Sequence, residues 1–319
     1  MKYTLEVYDI RELGQRENQE DALFPDYGQS TAEDRLFIVC DGMGGHSSGE
    51  VASSTVCDIM SRSILESCPD PEGPFGYEDF IKAQSAALDE LDRKDDGAYK
   101  KMGTTMTLLK LHSQGCTVAH IGDSRVYHIR SGKSQADTLI IHQTSDHSLV
   151  NTLVKIGELT PEEAKKSNMR NVITQAMQPG VKRQHIKADI YETADIQPGD
   201  YFMLCTDGIL EEMDDDAIMQ VFSDEIPTAQ EKRDRIKELT TNNKDNHTAI
   251  IVHITDVIDP IEIPSAKETT DAECNNGELA ATVQEQPRQC PNAKKHILLA
   301  VLAIIAIILS AILAVKAFL

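Results

Sequence analysis

Three aspartates, each next to a glycine, lie at or near the ends of apolar runs in this chain. They are Asp41, Asp123 and Asp207. Each run is typical of a buried strand, and glycine lets the backbone and a ligand approach closely. Because divalent cations such as Mg²⁺ prefer hard oxygen ligands, this arrangement could present carboxylates to a metal ion. One Asp-Gly pair alone could equally be a tight turn, so the prediction depends on the repetition.

Three more carboxylates could join them. Asp245 precedes the apolar run at residues 248–254, and Glu20 and Asp21 precede the run at 22–24. In an antiparallel sheet, the end of one strand and the start of its neighbour lie at the same edge, so these side chains could converge. Crowded carboxylates repel one another unless a cation lies between them. Ligands that are all oxygen favour Mg²⁺ or Mn²⁺ over Zn²⁺.

Eight short motifs follow one another along the chain. They lie at residues 14–22, 41–52, 102–105, 122–125, 146–150, 171–176, 206–208 and 245–246. Their residues and their order resemble the metal-dependent type 2C protein phosphatases in their bacterial form. The resemblance covers roughly residues 9–256. Any one motif is a common short string, but eight in the right order argue strongly against coincidence.

The resemblance implies a role for each residue of a two-metal centre. Asp41 would bridge two metal ions. Asp207 and Asp245 would complete one site, and Glu20 with the backbone carbonyl of Gly42 would reach the other. The ions implied are Mn²⁺ or Mg²⁺.

Three further residues complete the predicted site. Asp21 is an additional candidate metal ligand, and Asp123 resembles the ligand of a third, weaker ion, which it would share with Asp207. Arg16 resembles the arginine that holds the phosphate, since its planar guanidinium can bind two phosphate oxygens at once. Arg16 and Asp41 are the predicted catalytic residues.

The implied activity is hydrolysis of phosphoserine and phosphothreonine in proteins by a hydroxide that bridges the two metal ions. No covalent phosphoenzyme is needed, and none of the seven cysteines lies in a C-x₅-R phosphate loop. Two other classes stay open. A pseudophosphatase would bind phosphoproteins without turnover, but such proteins usually lack a core metal carboxylate that this chain keeps. A hydrolase of nucleotides or small phosphoesters would need a pocket that nothing in the sequence marks.

Two strongly helical stretches, at residues 49–68 and 77–94, stand between blocks of strand-like runs. Apolar residues recur in both at spacings of three and four. Helices that adjoin in sequence, instead of alternating singly with strands, predict an α+β fold. The fold implied by the resemblance is a central antiparallel β-sandwich flanked by helices on both faces. Residues 1–257 are the predicted catalytic domain.

Two acidic segments are typical of helix starts. The run Asp214-Asp215-Asp216 could be another metal site, but it directly precedes an apolar helical stretch, where acidic residues are ordinary caps. Thr160 has the capping-box spacing to Glu163, with Pro161 at the first helical position. Both segments are therefore predicted to be structural.

The C-terminal tail carries a separate prediction. Residues 258–295 contain scattered prolines and polar residues and are typical of a flexible linker. The nineteen residues 297–315 are apolar except for Ser310, and at ~1.5 Å per residue they span about 28 Å. Residues 296–319 are therefore predicted to form a single transmembrane helix. Two lysines precede the span and one follows it, which predicts a cytoplasmic catalytic domain.

The charge of the chain limits its partners. A formal net charge of −21 argues against nucleic acid, because phosphate backbones are bound by Lys and Arg. The expected partners are phosphorylated proteins, among them a membrane Ser/Thr kinase and its targets. This last expectation depends only on the predicted anchor and the resemblance.

Overall fold

The computed structural model describes residues 1–44, 48–95, 102–169 and 171–258. All of them lie in the first of two units into which the chain divides, Met1–Glu262. Across these four ranges, every helix is too short or too polar to span a bilayer. The predicted transmembrane helix, and all but the first residue of the predicted linker, lie outside the described residues.

Two antiparallel sheets form the centre of the described part of the chain. The first sheet has, in spatial order, β1 (Lys2–Glu12), β11 (His247–Ile258), β10 (Asp200–Cys205), β7 (Arg125–Arg130) and β8 (Leu139–Gln143). The second has β2 (Asp21–Phe24), β3 (Leu36–Met43), β5 (Met106–His112), β6 (Gly115–Ile121) and β9 (Asp189–Thr193), and the short β4 (Gly103–Thr104) pairs with β3.

The two sheets pack face to face. In β1, Tyr3 and Leu5 are buried while Lys2, Thr4 and Glu6 are exposed, the alternation of a strand with one covered face. Strands β5 and β6 are buried along their whole length, because this sheet is covered on both faces. Side chains from both sheets fill the space between them, including Phe37, Leu109, Phe202, Ile250 and Val252.

Helices cover the outer face of each sheet. Helices α1 (Ser48–Ser67) and α2 (Tyr77–Lys94) pack on the second sheet through a core that includes Ile38, Met60, Phe80, Leu88 and Leu108. Helices α5 (Asp207–Leu210), α6 (Asp215–Phe222) and α7 (Ala229–Leu239) cover the first sheet through Tyr127, Met203, Ile218, Phe222 and Ile236. The α+β prediction, with an antiparallel sandwich between two helical layers, is confirmed, and so are the two long helices.

We call residues 146–169 and 171–174, which lie between β8 and β9 in the chain, the flap segment. It contains α3 (Leu149–Lys155) and α4 (Pro161–Lys166). Thr160 and Glu163 form the predicted capping box of α4. The Asp214 side chain accepts from the N–H of Ala217 at the start of α6, so the prediction that this acidic run is a helix cap is also confirmed.

Candidate metal centre

Asp21 and Asp41 face each other on the neighbouring strands β2 and β3. Strand β3 continues to Met43, so Asp41 lies within the strand. The sequence predicted that Asp41 would lie at the end of the strand. The strand is longer because of β4, which pairs with Gly42 and Met43 and extends the ladder. The N–H of Asp41 donates to Oγ1 of Thr105 at 2.9 Å, and its carbonyl accepts from the N–H of Thr105 at 2.9 Å. The backbone that carries Asp41 is therefore fixed on both sides.

Asp207 and Asp245 reach the same centre from the first sheet. Asp207 is the first residue of α5, directly after β10, and Asp245 lies just before β11. Because β10 and β11 are antiparallel neighbours, the end of one and the start of the other share an edge. The carboxyl groups of Asp41 and Asp207 lie close enough for each to shift the pKa of the other. The predicted convergence of carboxylates from both sheets is thus present in the structure.

Glu20 and the carbonyl of Gly42 lie side by side at the first turn of α1. A methyl group placed on Gly49 would lie 2.8 Å from the Gly42 carbonyl oxygen and 2.8 Å from the carboxyl carbon of Glu20, so both groups border one point. The Gly42 N–H also donates to the Glu20 carbonyl at 3.1 Å. A Cβ on Gly42 would lie only 2.2 Å from the Gly49 carbonyl oxygen, so this close approach requires glycine.

The carboxylates of the centre hold protons more tightly than free carboxylates. Burial, then the charges of Asp21, Asp207 and Asp123, raise the pKa of Asp41 well above its ordinary range. Burial is also the main reason why the pKa of Asp21 and the pKa of Asp123 both rise to about 7. Burial likewise raises the pKa of Asp207. Each shift indicates negative charge that lacks positive compensation.

These residues fit bound Mn²⁺ or Mg²⁺. Oδ1 of Asp123 is buried and has no hydrogen-bond partner among the described residues. The donors around it are all oxygens, which is the ligand type that these two cations prefer. Bound cations would supply the missing positive charge. The fit concerns the chemistry of the donors, and it agrees with the sequence prediction.

Arg16 lies at the edge of this cluster of carboxylates. Its Nη2 donates to Oδ2 of Asp245 at 2.6 Å, and its side chain is 56% exposed. This hydrogen bond is the main cause that raises the pKa of Arg16, and the charges of Glu20 and Asp41 raise it further. The pKa of Glu20 is raised by burial, which Arg16 partly offsets. The structure therefore places the predicted phosphate-binding arginine beside the predicted ligands.

Two supporting residues were not singled out from the sequence as parts of the site. Asn246 accepts from the Glu20 N–H at 2.8 Å and donates to the Leu13 carbonyl at 2.8 Å, so it fixes the loop that carries Glu20. Thr206 donates from Oγ1 to Oδ2 of Asp21 at 3.1 Å. Each stands directly beside a predicted ligand in its motif, which is the signal that could have identified it.

A cleft of about 530 Å³ leads from the carboxylates to the flap segment. Asp123, Asp207 and Asp245 line one end, and Val150 and Lys165 of the flap segment are among the residues at the other. The flap segment is tied to this site by Arg125, which donates to both carboxylate oxygens of Asp146, at 2.6 and 2.8 Å. One cleft is therefore lined both by the cluster of carboxylates and by the flap segment.

The chain is similar in sequence to known phosphatases. Residues 12–242 match the family model described as protein phosphatase 2C. The protein phosphatase PhpP of Streptococcus pneumoniae is 31% identical over 254 residues, which are 78% of this chain and 97% of PhpP. The serine/threonine protein phosphatase PstP of Mycobacterium tuberculosis is 29% identical over 249 residues, which are 76% of this chain and 43% of PstP.

Solved structures agree. The M. tuberculosis serine/threonine phosphatase PstP/Ppp superposes with a TM-score of 0.63 at 29% identity and covers 79% of this chain and 99% of that one. The catalytic domain of PstP in complex with two manganese ions superposes with a TM-score of 0.60 at 28% identity, covering 80% of this chain and 100% of that one. With its fold and its group of carboxylates, the chain belongs to the protein phosphatase 2C family and is a metal-dependent serine/threonine protein phosphatase that uses Mn²⁺ or Mg²⁺.

Proposed function

We propose that this phosphatase binds two cations through the residues predicted from the sequence. Asp41 would be shared between the cations, Asp207 and Asp245 would bind one of them, and Glu20 with the Gly42 carbonyl would bind the other. The observation that carries the proposal is the close approach of the Asp41 and Asp207 carboxyl groups: burial, then the charges of Asp21 and Asp207, raise the pKa of Asp41. Such a contact is unfavourable in a protein unless a cation or a proton offsets the charge.

Asp123 and Asp21 would have supporting roles. Asp123 would hold a third, weaker cation together with Asp207, and its unpartnered buried Oδ1 supports this. Asp21 is only 2% exposed and is hydrogen bonded to Thr206. Its role as a direct ligand stays a prediction, and its bond to Thr206 also lets it fix the start of α5.

The substrate phosphate would be held by Arg16. Its exposure, with a hydrogen bond to Asp245 from Nη2, leaves the guanidinium able to turn towards a phosphate at the mouth of the cleft. When bound, the two cations would supply a hydroxide nucleophile and offset the charge of the phosphoryl group. Arg16 would orient the phosphoryl oxygens, and the buried residues Asp21 and Asp123 would exclude bulk water from their side of the centre.

The substrates would be phosphoproteins at a membrane. The support is the sequence alone: the apolar run at 297–315, the linker at 258–295 and the flanking lysines predict a single-pass anchor with the catalytic domain in the cytoplasm. A membrane Ser/Thr kinase and its targets would then be within reach. Full-length protein should stay with membranes after alkaline carbonate extraction, while residues 1–257 should be released. Release of both would contradict the anchor.

The activity is tested by phosphate release from a phosphothreonine peptide, with Mn²⁺ or with EDTA. Turnover by the wild type should require the metal and should be lost in Asp41→Asn. Unlabelled phosphopeptide should compete with the substrate, whereas nucleotides should not. Metal-dependent turnover that survives in Asp41→Asn would contradict the assignment of Asp41, and competition by nucleotides alone would contradict the substrate class.

A further inference from the structure

His120, His147 and Asp189 form a cluster outside the carboxylate centre. One nitrogen of each imidazole and one oxygen of Asp189 all lie within 4.8 Å of one another. Both histidines are buried, and His120 pairs with Asp189 across β6 and β9. Nδ1 of His120 and Nε2 of His147 have no hydrogen-bond partner among the described residues. By residue type alone, two histidines and a carboxylate could bind Zn²⁺.

The geometry of the two rings excludes a shared metal ion. The rings of His120 and His147 are stacked, with centroids 4.6 Å apart and planes inclined by 19°. A metal lies in the plane of each imidazole that binds it, about 2 Å from the nitrogen, and two stacked planes cannot meet at such a point. In addition, Nδ1 of His147 accepts a hydrogen bond from Gly122, so the neutral ring carries its proton on Nε2.

His147 instead holds both the backbone N–H and the backbone carbonyl of Gly122. The backbone N–H of His147 donates to the Gly122 carbonyl at 2.8 Å, and the Gly122 N–H donates to Nδ1 of His147 at 3.2 Å. The His147 carbonyl accepts from the N–H and from Oγ1 of Thr174, at 2.7 and 2.9 Å. Nε2 lies 3.3 Å from Oδ2 of Asp189, close enough for an electrostatic contact that orients the ring. His147 therefore joins the base of the flap segment to the Gly122 turn.

The turn held in this way carries Asp123. Gly122 has φ +107°, in a region that only glycine adopts readily, so its conformation depends on the contacts around it. At the other end of the turn, Oγ of Ser124 lies 2.7 Å from Oγ1 of Thr105. The same Thr105 oxygen accepts from the N–H of Asp41. A shift of the turn would therefore displace Asp123 directly and would also reach Asp41 through Thr105.

We propose that His147 is a positioning residue that fixes the turn carrying Asp123. Its ring and backbone hold the Gly122 peptide, while Asp189 and the stacked ring of His120 hold the ring. The effect on metal binding rests on the proposed role of Asp123 as a ligand of a third cation. The effect on the turn does not depend on that role.

Three substitutions of His147 in the full-length protein separate the contacts. His147→Asn places an oxygen where Nδ1 stands, so it can still accept from Gly122. His147→Gln places its polar atoms near the position of Nε2, so it can approach Asp189 but loses the bond from Gly122. His147→Ala loses both contacts. The readouts are hydrogen exchange of the peptide that contains Gly122, calorimetric Mn²⁺ titration of the metal-free protein, and kcat/KM on a phosphothreonine peptide.

We expect the Gln and Ala variants to lose protection at Gly122 and about 10- to 100-fold in affinity for the weakest cation, a range typical of residues that support metal ligands. The Asn variant should stay within about threefold of the wild type, which is below that range. Equal losses in Asn and Gln would show that the ring only fills space, which would overturn the proposal. Unchanged exchange at Gly122 in the Ala variant would overturn it as well.

His128 provides a matched control. It is also buried and stacked, on Phe202 at 4.3 Å, but its Nε2 contacts Oδ2 of Asp200 at 2.9 Å. Here Gln should preserve thermal stability better than Asn, the reverse of the order at His147, and neither should change Mn²⁺ affinity. If the wild type turns over substrate but binds no third cation, the role of Asp123 fails, and exchange at Gly122 still decides the role of His147.

Discussion

Replacing Asp123 by Asn should make the metal-free enzyme more stable. This residue is only 9% exposed, and Oδ1 has no hydrogen-bond partner in the described part of the chain. Burial and the charge of Asp207 raise the pKa of Asp123 to about 7. The folded, metal-free protein therefore keeps an unfavourable charge at alkaline pH. An amide of the same shape removes the charge and gives up no side-chain bond at Oδ1.

The size of the effect follows from the pKa. An unfolded aspartate has a pKa of about 3.9, so a folded pKa of about 7 corresponds to about 4 kcal/mol at pH 8. Asp207 shares part of this charge, so the measured gain should lie between about 1 and 4 kcal/mol. The pKa of Asp123 is higher in the folded state than in the unfolded state. The stability that the protonated side chain gives the wild-type protein is therefore fully present below about pH 4, and it is lost as the pH rises through about 7. The advantage of the variant should grow over that window.

Thermal unfolding in EDTA at pH 4.5, 6 and 8 measures the effect. At pH 8 the variant should unfold at least about 2 °C above the wild type, and at pH 4.5 the difference should shrink to about a quarter of its value at pH 8. Saturating Mn²⁺ should stabilise the wild type more than the variant. A variant that is less stable than the wild type in EDTA at pH 8 would refute the reasoning.

Asp146→Asn is the matched control, since this neighbouring carboxylate is paired. Its loss leaves Arg125, which is only partly exposed, without its two charged hydrogen bonds. The control variant should therefore be less stable than the wild type at pH 8. If both substitutions changed the stability in the same direction, general charge reduction and not the local environment would explain the result.

Three further predictions concern single side chains. Asp207→Asn should lower turnover by more than about 100-fold, which is the upper end of the loss typical of a supporting group. Mn²⁺ should no longer raise the melting temperature of this variant. A melting temperature that still rises fully with Mn²⁺ would contradict the assignment of Asp207 as a metal ligand. Arg16→Lys should lower kcat/KM about tenfold or more through loss of the planar fork, with an unchanged melting temperature because the side chain is 56% exposed. Lys232→Met should cost about 1–3 kcal/mol, because the buried ammonium binds backbone carbonyls at the end of α6; urea unfolding measures the cost, and activity of the folded protein should persist.

Much of the fold and the site could be predicted because the signals are local. Apolar runs that end near Asp-Gly pairs predicted strands with carboxylates at one edge, and Asp41, Asp207 and Asp245 do meet there. The exact end of β3 could not be predicted, because it depends on β4 pairing with Gly42 and Met43, some 60 residues along the chain.

Contacts between segments that are distant in the chain also could not be predicted from the sequence. Asn246 fixes the Glu20 loop across 226 positions of the chain, and the pairing of Arg125 with Asp146 depends on where the flap segment folds back. Residue type and spacing carry no information about such registers. The contacts of His147 are another example, because its buried ring accepts from the N–H of Gly122, 25 positions away in the chain.

Strand β11 also determines where a fusion partner or a solid support can be attached to this enzyme. It begins two residues after Asp245 and runs for 12 residues to Ile258. At about 3.4 Å per residue its two ends are about 35 Å apart. A fluorescent protein or a solid support joined at residue 258 would therefore meet the pole of the sandwich opposite the carboxylates. The mouth of the cleft would stay open to a substrate as bulky as a folded protein.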